Sequence, residues 1–293
     1  MAFILGIERA RGCLLGLAVG DALGAPFEGG GRPERWCRRM EPDGRCRRSA
    51  GAVTDDTLQA VAVAESLITC RGFSGPDLAV RLLEGFRAHP EYYGPTSTRV
   101  FSLVEAGVDP ATAARLVHEE LRASRTNGPV MRGPPIGIVY AGRAVEEVSM
   151  AAARLTHYDP VAGAASGFVN RMTSELCRGG NRETALRAAL AGCREPETLA
   201  VLGSWRTHPP VPSLDALDLA HAAIAVVMTT TTFAGAVETA VNMGGDSDTL
   251  GAVAGALAGA AYGAGAISRD WLAPLELRPR LVALADGLVR IAR

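Results

Sequence analysis

Two acidic clusters carry the residues best suited to chemistry: Thr54-Asp55-Asp56-Thr57 and Gly244-Gly245-Asp246-Ser247-Asp248-Thr249. Each stands directly before an apolar stretch with helical spacing. One Asp per cluster would suffice to cap the following helix, where free backbone N–H groups and the positive end of the dipole favour a carboxylate. Capping does not account for the second carboxylate or the neighbouring hydroxyl. Four carboxylates with two or more hydroxyls form an all-oxygen donor set that suits a hard divalent cation such as Mg²⁺ or Mn²⁺. Gly244-Gly245 lets the backbone turn tightly enough for Asp246 and Asp248 to face one pocket. Paired aspartates are also common on ordinary surfaces, so spacing alone leaves capping and metal ligation as alternatives. A third element is Gly20-Asp21-Ala22-Leu23-Gly24 followed by Glu28. Asp21 suits a cap for the next turn, and Glu28 reads as an exposed surface acid.

The elements that must position these residues read almost entirely as helix. Apolar residues recur at three- and four-residue spacing over 9–19, 56–68, 77–88, 98–106, 110–123, 144–155, 161–176, 182–191, 214–228, 234–243 and 280–291. Pro110 and Pro196 fit first-turn positions, with Asp109 as a cap. Strand-type alternation is nearly absent. Residues 250–267 carry no charge, and Gly251, Gly255, Gly259 and Gly263 recur every four residues. That spacing resembles a membrane helix-pairing face. Its Ala/Gly composition and the aspartates just before it instead predict a buried central helix with a glycine face against a neighbour. No compositional break marks a linker. The expected fold is all-α: one domain over 1–293, an orthogonal multi-helix bundle around the Ala/Gly-rich helix.

Composition narrows the function. The chain has 293 residues, 48% of them hydrophobic, and a net charge of −1. That balance argues against a general nucleic-acid or acidic-membrane binder. All thirty basic residues are Arg, which excludes chemistry needing a lysine. Residues 29–49 form a Gly- and Arg-rich loop with seven arginines, read as a solvated loop in preference to a phosphate-binding edge. The six cysteines show no zinc spacing and read as free thiols of a reducing compartment. With no secretory signal pattern at the N-terminus, the expected location is cytoplasmic.

Taken together, the motifs resemble the ADP-ribosylglycohydrolase family. The resemblance rests on Gly20-Asp21-Ala22-Leu23-Gly24 with Glu28, Thr54-Asp55-Asp56, Asn127-Gly128 through Met131-Arg132, Thr156-His157, and Asn242 through Thr249, in this order across most of the chain. It implies an all-helical hydrolase with two divalent ions, Mg²⁺ or Mn²⁺. It further implies Thr54, Asp55 and Asp56 as ligands of one ion, Asp246 and Thr249 of the other, and Asp248 as the bridge. Glu28 matches a glutamate beside the metals, with a proton-shuttling role; Asp55 and Asp56 join it in the catalytic set. Asn127, Gly128 and His157 match positions near the ADP-ribose pocket, and a satisfied core histidine is the competing reading of His157. Backbone donors around Gly94, Thr96, Ser97 and Thr98 and around Gly128 are candidates for the diphosphate.

The implied substrate is an ADP-ribosylated side chain or a small ADP-ribosyl conjugate. The arginine-specific branch of the family carries an Asp where this chain has Tyr92, with Glu91 one position away. Arginine-, serine- and O-acetyl-linked ADP-ribose therefore all remain open. Two competing functions are a non-catalytic ADP-ribose binder or structural protein on the same scaffold, and a two-metal phosphohydrolase.

Overall fold

The structure is a computed structural model that describes residues 6–42, 48–122 and 124–293. Sixteen α-helices and three short 3₁₀ turns are formed among these residues, and no strand. The first half holds α1 (Ile7–Gly24), α2 (Asp55–Cys70), α3 (Gly75–Ala88), α4 (Pro95–Glu105), α5 (Pro110–Leu121), α6 (Gly128–Met131), α7 (Pro134–Val139) and α8 (Arg143–Ala153). The second half holds α9 (Pro160–Cys177), α10 (Arg182–Gly192), α11 (Pro196–Gly203), α12 (Ala216–Thr229), α13 (Phe233–Val241), α14 (Ser247–Tyr262), α15 (Arg269–Leu272) and α16 (Arg278–Ile291). Half of the helices start where a short polar side chain accepts a first-turn N–H, among them those capped by Ser74, Asp109, Asp159, Asn181, Asp215 and Thr232.

At the centre α1 and α14 run antiparallel, backbone to backbone. Gly12, Gly16, Gly20 and Gly24 face Gly259, Gly255, Gly251 and Ser247 in turn. A Cβ on any of the first three would overlap the carbonyl oxygen opposite, so only glycine permits this approach. The glycine face expected on residues 250–267 is present, and its partner is a matching stripe on α1. Both helices are buried on nearly all faces. No helix is long and apolar enough to cross a membrane among the described residues. Gly255→Ala should lower Tm by about 3–10 °C, because overpacking costs about 1–3 kcal/mol and outweighs the higher helix propensity of Ala. Gly265→Ala, with open space around its Cβ, should leave Tm nearly unchanged in the same calorimetric scan.

Several boundaries differ from the sequence expectation. The helix expected over 9–19 extends to Gly24, so Asp21 lies inside it. The long apolar helix stops at Tyr262, where Gly263 takes a φ of +80°. Leu214 lies before α12, and α4 starts three residues early at Pro95. Helices α6 and α7, interrupted by prolines, show no clear periodicity in the sequence. Ala123, the expected end of α5, lies outside the described residues.

The arginine loop is docked in part. The Cys37 backbone pairs with the Asn242 amide, Trp36 donates to Glu238, and Trp271 donates to the Arg38 carbonyl. Arg45, Cys46 and Arg47 lie outside the described residues. The other five cysteines are free thiols, as read.

Candidate active site

The start of α2 builds the first half of the site. Thr54 is its N-cap, and a second cap arrives from another helix. Asp21, on α1, accepts the Thr54 and Thr57 backbone N–H groups and both threonine hydroxyls, the last at 2.5 Å from Thr57. With the capping supplied by Thr54 and Asp21, the carboxylates of Asp55 and Asp56 are free for another task. Thr54 Oγ1 also lies 3.1 Å from Asp56 Oδ2.

The turn before α14 builds the second half. Gly244 and Gly245 take φ values of +78° and +65°, open to glycine but strained for other residues. Gly245 pairs through both backbone groups with the loop carrying Glu28: Gly29 N to Gly245 O and Gly245 N to Gly30 O, each 2.8 Å. This two-bond clamp places Glu28 beside the aspartates of the turn. Asn127 Nδ2 donates to Asp246 Oδ2 at 2.5 Å, and Thr249 Oγ1 reaches Asp56 Oδ2 at 3.4 Å. The two acidic clusters, about 190 residues apart in the chain, thus meet at one point.

Asp21, Asp56 and Asp248 each offer an oxygen within 4.8 Å of the others. All three are buried. Asp56 Oδ1 and Asp248 Oδ1 are buried with no hydrogen-bond partner. Burial, then repulsion from neighbouring carboxylates, pushes the Asp56 and Asp248 carboxyls well above the usual range and Asp55 to about 8. Burial raises Asp21 and Asp246 too, against the hydrogen bonds they accept. Unpartnered carboxylate oxygens crowded away from water are costly unless a cation joins them. The donor set, all hard oxygen, fits a divalent metal.

These groups face a cavity of about 270 Å³, walled by Glu28, Asp55, Asp56, Asp246, Asp248 and Thr249 on one side. Tyr92, Tyr93, Ser97, Thr126, Gly128, His157 and Leu214 are on the rest of the wall. A larger depression between α8 and α10, about 650 Å³, holds ion-paired side chains such as Arg171–Glu146 and no metal-ligating cluster among the described residues. Asp56 and Asp248 of the carboxylate cluster line the smaller cavity.

The ADP-ribosylglycohydrolase sequence profile matches residues 5–293. The chain belongs to the ADP-ribosylglycohydrolase family. It is 30% identical over 283 residues to the ADP-ribosyl-[dinitrogen reductase] glycohydrolase of Rhodospirillum rubrum, covering 92% of this chain and 91% of that protein. Identity to the ADP-ribosylarginine hydrolase Tri1 of Serratia proteamaculans is 27%, with 98% of this chain and 80% of the relative covered. A solved structure, described as an ADP-ribosylglycohydrolase-related protein complex, superposes with a TM-score of 0.85 at 34% identity, over 98% of this chain and 99% of that one.

Within this family member the residues singled out by sequence fall into three groups. Glu28, Asp55, Asp56, Asp246, Asp248, Thr249, Asn127, Gly128, Gly94, Ser97 and His157 all border the cavity. Thr54 stands behind them, bound to Asp21 and Asp56. Thr96 and Thr98 do not join the wall. The first turn of α4 buries Thr96, and Thr98 Oγ1 donates to the Tyr93 carbonyl.

His157 keeps both ring nitrogens engaged, Nε2 with Thr126 Oγ1 and Nδ1 with Thr156 Oγ1, each at 2.7 Å. Burial, and then nearby Arg132, hold its pKa well below the usual value, so the ring is neutral. The core-histidine reading describes its hydrogen bonds, and the pocket reading describes its position. Gly128 is small because a Cβ would meet His157 Cε1 at 3.0 Å and Arg132 Nη1 at 3.4 Å.

Sequence reasoning missed four residues near this site: Asp21 as the cross-helix cap, and Gln59, Thr126 and Arg132. Asp21 carried a signal, as the one charge in the apolar run 12–27. Gln59 also carried one, standing one helical turn after Asp55.

Proposed function

We propose that the chain is a metal-dependent hydrolase that releases ADP-ribose from a modified protein side chain or small conjugate. The observation that carries this reading is the convergence of Asp55, Asp56, Asp246, Asp248 and Glu28 on one cavity. Two unpartnered buried carboxylate oxygens at that point support metal binding. Two divalent ions, Mg²⁺ or Mn²⁺, would be held by Thr54, Asp55 and Asp56 and by Asp246 and Thr249, with Asp248 between. When bound, such ions clamp vicinal hydroxyls and acidify water. A main apolar core running from Ala10 to Leu288, with a small satellite cluster between α4 and α5, supports a single-domain reading.

The scissile bond joins the anomeric ribose carbon to a nitrogen or oxygen of the modified group. Its cleavage passes through an oxocarbenium-like state. Water adds to the anomeric carbon, and the leaving atom takes a proton. Glu28 stands at the cavity edge, on a backbone clamped to the turn that carries Asp246 and Asp248, and supplies or accepts that proton. Asn127 holds Asp246 in place through its amide. Backbone N–H groups at the start of α4, beside Gly94 and Ser97, are available to the diphosphate because the first turn of a helix leaves its donors free.

Incubation with arginine-, serine- and acetyl-linked ADP-ribose, read by mass spectrometry, tests the proposal. Free ADP-ribose supports it, whereas AMP or no product from all three rejects it. Glu28→Gln should slow release by about 10²–10⁴-fold while calorimetry finds ADP-ribose bound within a few-fold of wild type. Unimpaired turnover would remove Glu28 from the chemistry.

A further inference from the structure

Arg132 is 2% exposed and has no carboxylate in ion-pair contact among the described residues. A buried guanidinium without a counter-ion is costly unless its hydrogen bonds are well placed. It forks: Nη1 donates to Gln59 Oε1 at 3.0 Å, and Nη2 donates to Thr156 Oγ1 at 2.6 Å. Each arm leads on to the cavity.

On the first arm, accepting from Arg132 fixes the Gln59 amide with its oxygen toward the guanidinium. Its Nε2 then donates to Asp55 Oδ2 at 2.9 Å. Gln59 is itself 3% exposed, so solvent offers no alternative partner. On the second arm, Thr156 is fully buried and accepts from Arg132, so its own proton goes to His157 Nδ1. The neutral ring then carries its proton on Nε2 and donates to Thr126 Oγ1. The opposite tautomer would strand the Thr156 hydroxyl proton in the core. Thr126 therefore keeps its own proton for the cavity that it lines.

We propose that Arg132 is a positioning residue that sets hydrogen-bond polarity on two sides of the cavity. Through Gln59 it holds Asp55 as an oriented acceptor. Through Thr156 and His157 it turns the Thr126 hydroxyl into a donor for an oxygen of the bound ADP-ribose group. This inference rests on the function proposed above for its ligand, but not for its internal geometry. The cavity is otherwise rich in carboxylates, which repel a diphosphate; a hydroxyl forced to donate adds attraction without adding a charge.

The test has three arms. Nitrogen-15 NMR of histidine-labelled protein, with His157 assigned from a His157→Gln variant, should show the proton on Nε2. A proton on Nδ1 in the wild-type protein would overturn the inference. Gln59→Glu separates positioning from packing. A merely structural role would be preserved, because the introduced carboxylate would ion-pair with Arg132. The positioning role loses its N–H donor and sets a carboxylate against Asp55. Mn²⁺ affinity of this variant, by calorimetry, should differ from wild type by about tenfold or more; wild-type affinity would overturn the inference. Thr126→Val should weaken ADP-ribose binding by about tenfold with Mn²⁺ affinity retained, and unchanged ADP-ribose affinity would overturn the second arm. Should wild-type protein release no ADP-ribose, the functional reading fails while the tautomer result still decides the geometry.

Discussion

Asp248→Asn is expected to reduce ADP-ribose release by about 10³-fold or more, because charge stabilisation by bound metal contributes several kcal/mol to such reactions. Asp248 is the acid whose removal should matter most. It is 3% exposed, one oxygen has no partner, and Asp56, Glu28, Asp246 and Asp21 all act on it electrostatically. The same substitution has an opposite expected effect on the metal-free protein. The substituted amide would keep the shape but relieve like-charge crowding, so apoprotein Tm should hold or rise. The Tm increase on adding Mg²⁺ or Mn²⁺ should shrink. A variant with wild-type turnover, or with an undiminished metal-dependent Tm rise, would remove Asp248 from the metal site.

Chelation is the second large effect. Excess EDTA should abolish turnover, and Mn²⁺ or Mg²⁺ should restore it; full activity in chelator would exclude the metal mechanism. The stripped protein should also lose stability as pH rises. Asp55 has a folded pKa of about 8, well above an unfolded Asp. The folded state therefore binds more protons than the unfolded chain between roughly pH 4 and 8, and stability falls through that window. Asp56 and Asp248 act in the same direction.

Neutral, buried His157 acts oppositely: its folded pKa is lowered, so it adds stability as pH rises toward the unfolded histidine value. That contribution is common to wild type and Asp248→Asn. The difference between their apoprotein melting curves isolates the carboxylates, and the wild type should fall behind by about 5 °C or more between roughly pH 5 and 8. Saturating metal should abolish that difference in slope. Parallel curves in EDTA would mean that the acids do not repel one another.

Much of this protein was legible before its fold. Helical spacing is a local property, so residues 77–88 and 182–191 read correctly from apolar periodicity alone. The excess of carboxylates at Asp55-Asp56 and Asp246/Asp248 over what capping requires was also local, as was the glycine face of α14. What the tertiary structure decided is everything that depends on which helix meets which. Asp21 looked like a cap for the turn that follows it. It caps α2 instead, because α1 passes close enough to the start of α2 for Asp21 to bond Thr54 and Thr57. Thr98 sat in a stretch whose backbone donors suit a phosphate, but its N–H is taken by the Gly94 carbonyl. Arg132 and Gln59 carry ordinary helix-compatible side chains, and their fork to Asp55 and Thr156 exists only once α2, α6 and the end of α8 are brought together. Residue type and spacing set which atoms can do chemistry. Burial then decides which of them must find one another, since a polar group removed from water has few partners left.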